Sequence, residues 1–381
     1  MHALLCAFES LWQNFQKFLL SIKLAEAAAV GLISNLGVER RMVLARNPQP
    51  GTRKGNKTML ITMQMARTAR MMLENVVALR KGENVLILTD TERPGSITEV
   101  LAVMAHALEA ETAVMTMIPR EMGGVEPPPA VAAAMAASQV IINQTSHSLT
   151  HTNAQRNAVR AGARVCNIRE FDEQMMLQGG ITADYRAVKA LTEKLAALLT
   201  RAEYVRITTP EGTDISFSIE GRKGYVLAGF ATEPGQFSGL PDGEAAIAPV
   251  EGSGNGVIVN PYMVEKVGPV KEPFKIRVEE GKVSEVAGGA EAQKLKEIFM
   301  SREPEARNIP AEFAFGTNPS CLLIPKSREI KKKLGTCHVA VGDNLSLGGV
   351  VDASLHLDII LLNPTVLVDD RAVLVEGELE I

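Results

Sequence analysis

Hydrophobic positions along this chain change period twice, and the changes divide it into three stretches. From Met63 to about Ala202, helix-period segments alternate with short continuous apolar runs: MQMARTARMMLENVVALRKG precedes ENVLILTD, SITEVLAVMAHALEAE precedes TAVMTMI, PPPAVAAAMAAS precedes QVIINQT, and THTNAQRNAVRAG precedes RVCNIR. Apolar runs bounded by helical segments predict parallel strands covered on both faces, so residues 59–203 are expected to form an open parallel α/β domain. A long helix from Ala183 to about Arg201 closes it.

After Tyr204 the segments shorten to strand-like runs such as YVRITT, DISFSIEG, GVIVN, EFAFGTN, HVAVGDN and LHLDIILL. A hairpin is expected about Glu280 and Gly281, and one surface helix over Gly289–Arg302. Residues 204–381 therefore read as a β-rich α+β domain. Residues 1–58 carry apolar patches interrupted by Lys23, Glu26 and Glu39, and NPQPGTRKGNK (Asn47–Lys57) reads as a linker, which makes this stretch an extension and a dispensable one.

Composition narrows the partners. With 40 Lys+Arg against 44 Asp+Glu the chain lacks the basic excess of a phosphate-backbone binder, and at 4% aromatic residues it has few stacking platforms. No window approaches eighteen uncharged apolar residues and no secretory leader pattern opens the chain, so a cytoplasmic protein without membrane or nucleic-acid partners is expected. Four cysteines without C-x-x-C spacing fit a reducing compartment. The first sheet strand is not followed by G-x-G-x-x-G, so dinucleotide binding has no support.

Candidate chemistry lies late in the sequence. In a strand LHLDIILL, His356 and Asp358 share one face, while Leu355, Leu357 and Ile359 share the other. In HVAVGDN, His338 shares a face with the small Ala340 and Gly342, which leaves room beside the imidazole. Glu244 and Glu312 each open an apolar run, where an uncompensated buried charge costs several kcal/mol and a cation relieves that cost. Glu244, Glu312, His338, His356 and Asp358 form a donor set suited to Zn²⁺, Mn²⁺, Co²⁺ or Fe²⁺, and five donors suit a pair of ions about 3.5 to 4 Å apart.

Other features have plainer readings. GSGNG (Gly252–Gly256) is expected to be a turn, Lys331–Lys333 a solvated loop, Cys337 to point away from His338, and the Met-rich helix (Met59, Met63, Met65, Met71, Met72) to pack in the core or a dimer contact. His147 and His151, at the end of a predicted parallel strand, are catalytic candidates; the competing reading is that TSHSLTHT caps the next helix through Thr150 or Thr152.

The motifs PEGTDISFSIEGR, LPDGEAAIAPVEG, EFAFGTNP, LGTCHVAVGDNLSLGG and HLD, with VLILTD, EPPPAVAAAM and TSHSLTHT before them, resemble the aminopeptidase T family in its shorter branch from about Met63 to the C-terminus. The resemblance implies a two-domain homodimer that removes N-terminal residues from peptides using two divalent ions (Zn, Co or Mn), with Glu244, Glu312, His338, His356 and Asp358 at the family's ligand positions. Glu244 or Glu312 would be ligand or general base. Where the peptidases carry Tyr, seven residues after the first ligand His, this chain has Leu345; Tyr204, Tyr225 or Tyr262 would have to replace it. The alternative within the same superfamily is a 2,5-dihydroxypyridine-type ring-cleaving dioxygenase with one Fe(II), held by His338, His356 and Asp358.

Overall fold

The computed structural model describes residues 51–150 and 152–380. By contacts the chain divides into two units, Met1–Gly55 and Asn56–Ile381, and the account below concerns the second. Helix α1 (Gly51–Met71) includes the end of the predicted linker, a correction to Gly51–Lys57. A helix anchored at Met65, Ala69 and Met72, all fully buried, extends toward its amino end because adding a residue costs far less than nucleation. Of the methionines here, Met65 and Met72 are core residues, while Met63 is 51% exposed.

Four βα units follow: β1 (Asn84–Asp90), α2 (Gly95–Ala107), β2 (Glu111–Met117), α3 (Pro129–Ala136), β3 (Val140–Gln144), α4 (Asn153–Arg160), β4 (Arg164–Asn167) and α5 (Tyr185–Arg201). The strands pair in parallel in the order β2-β1-β3-β4. Alternate residues of β1 feed two cores. Val85 and Ile87 join Met65, Ile97 and Leu101 on one face; Leu86 and Leu88 join Val131, Met135 and Ala158 on the other. This is the two-sided burial that the apolar runs predict. Asp184 caps α5, its carboxylate accepting from Arg186 N at 3.0 Å.

The remaining strands are β5 (Tyr204–Thr208), β6 (Asp214–Ser218), β7 (Tyr225–Leu227), β8 (Phe237–Gly239), β9 (Glu244–Ile247), β10 (Asn255–Val259), β11 (Met263–Val264), β12 (Gly268–Pro269), β13 (Phe274–Glu279), β14 (Lys282–Gly288), β15 (Glu312–Gly316), β16 (Cys337–Gly342), β17 (His356–Leu361), β18 (Thr365–Val368), β19 (Arg371–Val375) and β20 (Glu378–Leu379), with helices α6 (Ala290–Met300) and α7 (Ser327–Ile330). They form two antiparallel sheets, β14-β13-β10-β6-β5-β18-β19-β20 and β12-β11-β17-β16-β15-β9-β7. One apolar core lies between them, joining Val205, Ile207, Ile215 and Phe217 of the first to Ile247, Phe313, Phe315, Val339 and Leu357 of the second. The expected hairpin joins β13 to β14, with Glu280 and Gly281 at φ 48° and 70°.

Strand β8 departs from the halves drawn at residue 203, because it pairs in parallel with β4 at the edge of the first sheet. The chain then passes through Leu240–Gly243 into β9 of the metal-ligand sheet. This short crossing ties the carboxyl edge of the parallel sheet to the strand that carries Glu244. Among the described residues no helix is long and apolar enough to cross a membrane.

Candidate metal centre

Register places the candidates on one sheet face. Across β9, β15, β16 and β17, Gly316 pairs with Glu244, Ala314 with Ala246 and His338, Ala340 with Glu312 and Asp358, and Gly342 with His356. Alternation then puts every one of these residues on the same side, while Ala245, Phe313, Phe315, Cys337, Val339 and Leu357 point into the sandwich core. The face is therefore a lattice of five donors spaced by Ala and Gly, whose small side chains leave volume between them. Cys337 points away as expected, and its burial pushes the thiol far above the usual range.

The donors gather as two triplets sharing one residue: Glu244, Glu312 and His338, and Glu312, His356 and Asp358, with the ligand atoms of each within 4.8 Å of one another. His356 Nε2 lies 3.0 Å from Glu312 and 3.3 Å from Asp358 Oδ1. His338 Nε2 lies 3.5 Å from Glu244 and 3.6 Å from Glu312. The His338, His356 and Asp358 triad expected for one Fe(II) is thus divided between the triplets, because Glu312 stands between the two imidazoles.

Two observations fit a cation. Both ring nitrogens of His338 and Asp358 Oδ1 are buried without a hydrogen-bond partner, which is costly unless another group satisfies them. The carbonyl of Asp343 lies 2.8 Å from His356 Nδ1 and can only accept, so Nδ1 carries a proton and Nε2, directed at the carboxylates, is the nitrogen left for an ion.

The electrostatics agree. Burial alone would raise the Glu312 carboxyl, but the adjacent imidazoles of His338 and His356 outweigh it and hold the group well below the carboxylate range. Burial likewise opposes the charged form of Asp358 and is outweighed by Lys331 and the two imidazoles. His356 is held well above the ordinary imidazole range against the effect of burial by Asp358 and Glu312, and His338 is raised by Glu244, Asp358 and Glu312 in the same way.

Lys331–Lys333 do not form a solvated loop. Lys332 is 6% exposed, with Nζ 2.7 Å from Glu244 Oε2 and 3.3 Å from Asp242 Oδ1. Lys331 Nζ lies 2.5 Å from Asp358 Oδ2, and Asp358 with its neighbouring carboxylates holds that ammonium above the usual lysine range although burial opposes it. The segment around α7 covers the ligand face, Ile330 packing against Ile360, and so turns its lysines inward. Asp242, Lys331 and Lys332 were missed in the sequence; the available signal was that buried carboxylates need cations, and a lysine run ending four residues before the strand of His338 could supply them.

His147 joins neither triplet. It sits at the carboxyl end of β3, its carbonyl accepting from Thr145 Oγ1 at 2.8 Å. Thr152 caps α4 by accepting from Gln155 N at 3.2 Å, which is the capping reading of TSHSLTHT. His151 lies outside the described residues. Leu345 is 49% exposed in a short turn, and of the three tyrosines Tyr262 packs beside Ile360 of the ligand face whereas Tyr204 is 43% exposed.

A parallel α/β layer joined to an antiparallel sandwich carries, on one sheet face, a carboxylate–imidazole cluster that could hold a metal ion. A family model described as NicX, 2,5-dihydroxypyridine 5,6-dioxygenase, matches residues 64–381, and the chain belongs to that family. A 2,5-dihydroxypyridine 5,6-dioxygenase of Pseudomonas putida is 24% identical over 263 residues, covering 64% of this chain and 72% of that one. Among solved structures, the 2,5-dihydroxypyridine dioxygenase of Pseudomonas putida KT2440 matches with a TM-score of 0.69 at 19% identity, over 85% of this chain and 97% of that one. AmpT from Thermus thermophilus matches with a TM-score of 0.62 at 16% identity, over 84% and 100%. The two structures show a shared fold. The motif resemblance to aminopeptidase T thus reaches the fold, and the family is the one that stood as its alternative.

Proposed function

We propose that this protein is a single-metal, oxygen-dependent ring-cleaving enzyme acting on a small hydroxylated nitrogen heterocycle of the dihydroxypyridine type. The observation that carries the reading is the buried ammonium of Lys332 on Glu244 and Asp242. It already compensates the Glu244 half of the cluster, leaving Glu312, His356 and Asp358 as the group for an ion. Charge agrees: Asp242, Glu244, Glu312 and Asp358 bring four carboxylates, Lys331 and Lys332 two ammonium groups, and one divalent ion balances the remainder. Membership of the dioxygenase family supports the same reading.

A bound redox-active ion such as Fe(II) supplies the electron exchange with dioxygen that organic side chains lack. The protein's residues do the rest. Asp343 fixes the tautomer of His356, Lys331 fixes the rotamer of Asp358, and His338, beside Glu244 and Glu312, can hold or return a proton at Nε2. His356 is the ligand most open to solvent, its side chain 33% exposed, so substrate would approach on its side.

A second reading is the dinuclear aminopeptidase. All five residues at that family's ligand positions are present, and they form two triplets bridged by Glu312. The homodimer belongs to this reading as well. Oxygen uptake with 2,5-dihydroxypyridine, set against hydrolysis of leucine amide by the same metal-loaded preparation, separates the two.

A further inference from the structure

Near the candidate metal centre lies a guanidinium that forms no ion pair among the described residues. Arg328 of α7 donates from Nε to the Leu240 carbonyl at 3.0 Å, and among the described residues this is its only hydrogen bond and it has no ion pair. Its neighbour Arg169, two residues beyond β4, is by contrast paired with Glu265 at 3.1 Å. A Cβ at Gly239 would stand 2.2 Å from Arg328 Nη2, so the guanidinium lies directly against that glycine.

Position ties Arg328 to the reaction site. It precedes Lys331 by three residues, a spacing that puts both on one side of a helical turn, and Lys331 holds Asp358. Glu265, the partner of Arg169, donates its backbone N–H to the Asp358 carbonyl at 2.8 Å. Arg328 is also near the carboxyl ends of β4 and β8, where open α/β sheets place ligands. Cationic and imidazole side chains reach solvent here, Arg169 at 21%, Lys331 at 20% and His356 at 33% with Arg328 partly exposed, as do the carboxylates Glu265 at 16% and Glu170 at 56%, whereas Glu244, His338 and Asp358 are at 3% or less.

We propose that Arg328 is the carboxylate-binding residue of this site, so that the substrate is a small ring compound bearing a carboxylate. A planar guanidinium binds a carboxylate through paired N–H donors, and Arg328, without an ion pair among the described residues, has Nη groups left for that role. Burial and the nearby Arg169 charge hold Arg328 below the usual arginine range against the attraction of Asp242 and Glu170, and a bound anion would oppose that lowering. This names the substrate class of the proposed site and rests on that reading for the reaction, but not for the binding.

The test is calorimetric titration of the metal-loaded protein with 3-hydroxybenzoate and with 3-hydroxybenzamide, in wild type, Arg328→Gln and Arg328→Lys. Wild type is expected to prefer the carboxylate by at least about tenfold, Arg328→Gln to lose the preference, and Arg328→Lys to keep part of it. Equal binding of the two probes by wild type, or an unchanged preference in Arg328→Gln, overturns the proposal. The wild-type comparison needs no variant to fold, and restored preference in Arg328→Ala on adding guanidinium supports a direct contact. Failure of oxygen uptake with both 2,5-dihydroxypyridine and a carboxylated dihydroxypyridine, while the carboxylate preference persists, sinks the dioxygenase reading and leaves the subsite standing.

Discussion

Lys332 Nζ sits 2.7 Å from Glu244 Oε2 at the floor of the cluster, with both side chains at 7% exposure or less. A cation supplied by the chain itself thus stands at one of the two triplets. Replacing it should reveal what it displaces. In Lys332→Met, Glu244 and Asp242 lose their compensating charge, so metal-free protein should lose about 3–5 kcal/mol of stability in denaturant titration. Metal content should rise from about one ion toward two as a second ion takes over the ammonium's role. A variant that remains at about one ion would show that Lys332 does not exclude the second.

His356→Ala removes an imidazole oriented by the Asp343 carbonyl. Metal affinity should fall by at least about a hundredfold, with stability of the metal-free protein changed far less, because His356 is the most solvent-accessible donor. Competition with a chromogenic chelator reads this directly, and retention of full affinity would remove His356 from the ligand set.

Glu251 straps the segment that carries Asp343. Its carboxylate accepts from Asn344 Nδ2 at 2.8 Å and Val350 N at 2.9 Å and pairs with Arg222. Burial opposes ionisation, but these donors outweigh it and lower the group's pKa. A lowered folded-state value means the contribution is present above the unfolded carboxylate pKa and disappears as pH falls through the folded one. Wild type should therefore exceed Glu251→Gln in melting temperature near pH 7, by an amount corresponding to about 1 kcal/mol, and the gap should close in acid below about pH 4.5. A gap that widens in acid contradicts the assignment.

Phe313 lies on the opposite side of β15 from Glu312 and packs between Phe217, at a 5.6 Å centroid distance, and Phe315, at 4.9 Å. Phe313→Ala should cost about 3–5 kcal/mol, read as a shift in the denaturation midpoint at constant slope. Because the same strand fixes Glu312, metal affinity should fall with it.

Legibility differed between the two sides of the ligand sheet. Period-two alternation in LHLDIILL and HVAVGDN put His356 with Asp358 and His338 with Ala340 before any pairing was known, and the strand register then lined them up with Glu244 and Glu312. The residues that cover the face were not legible. Lys331 and Lys332 read as solvent-facing because charge runs usually are, and their inward turn depends on Ile330 anchoring α7 against Ile360, a contact between residues 30 apart in sequence. The membership of β8 in the parallel sheet was hidden for a similar reason, since three residues, Phe237–Gly239, carry no period of their own. Family membership was visible as a pair of alternatives, because both solved relatives match the fold of this chain.

The central claim is a single redox-active ion serving an oxygen-dependent ring opening, and its most direct test is elemental analysis of anaerobically purified protein followed by an oxygen-electrode trace with 2,5-dihydroxypyridine. The account predicts about one iron per chain and oxygen uptake that matches loss of the ring's absorbance mole for mole. About two zinc or manganese ions per chain, with leucine amide hydrolysed and oxygen untouched, would contradict it.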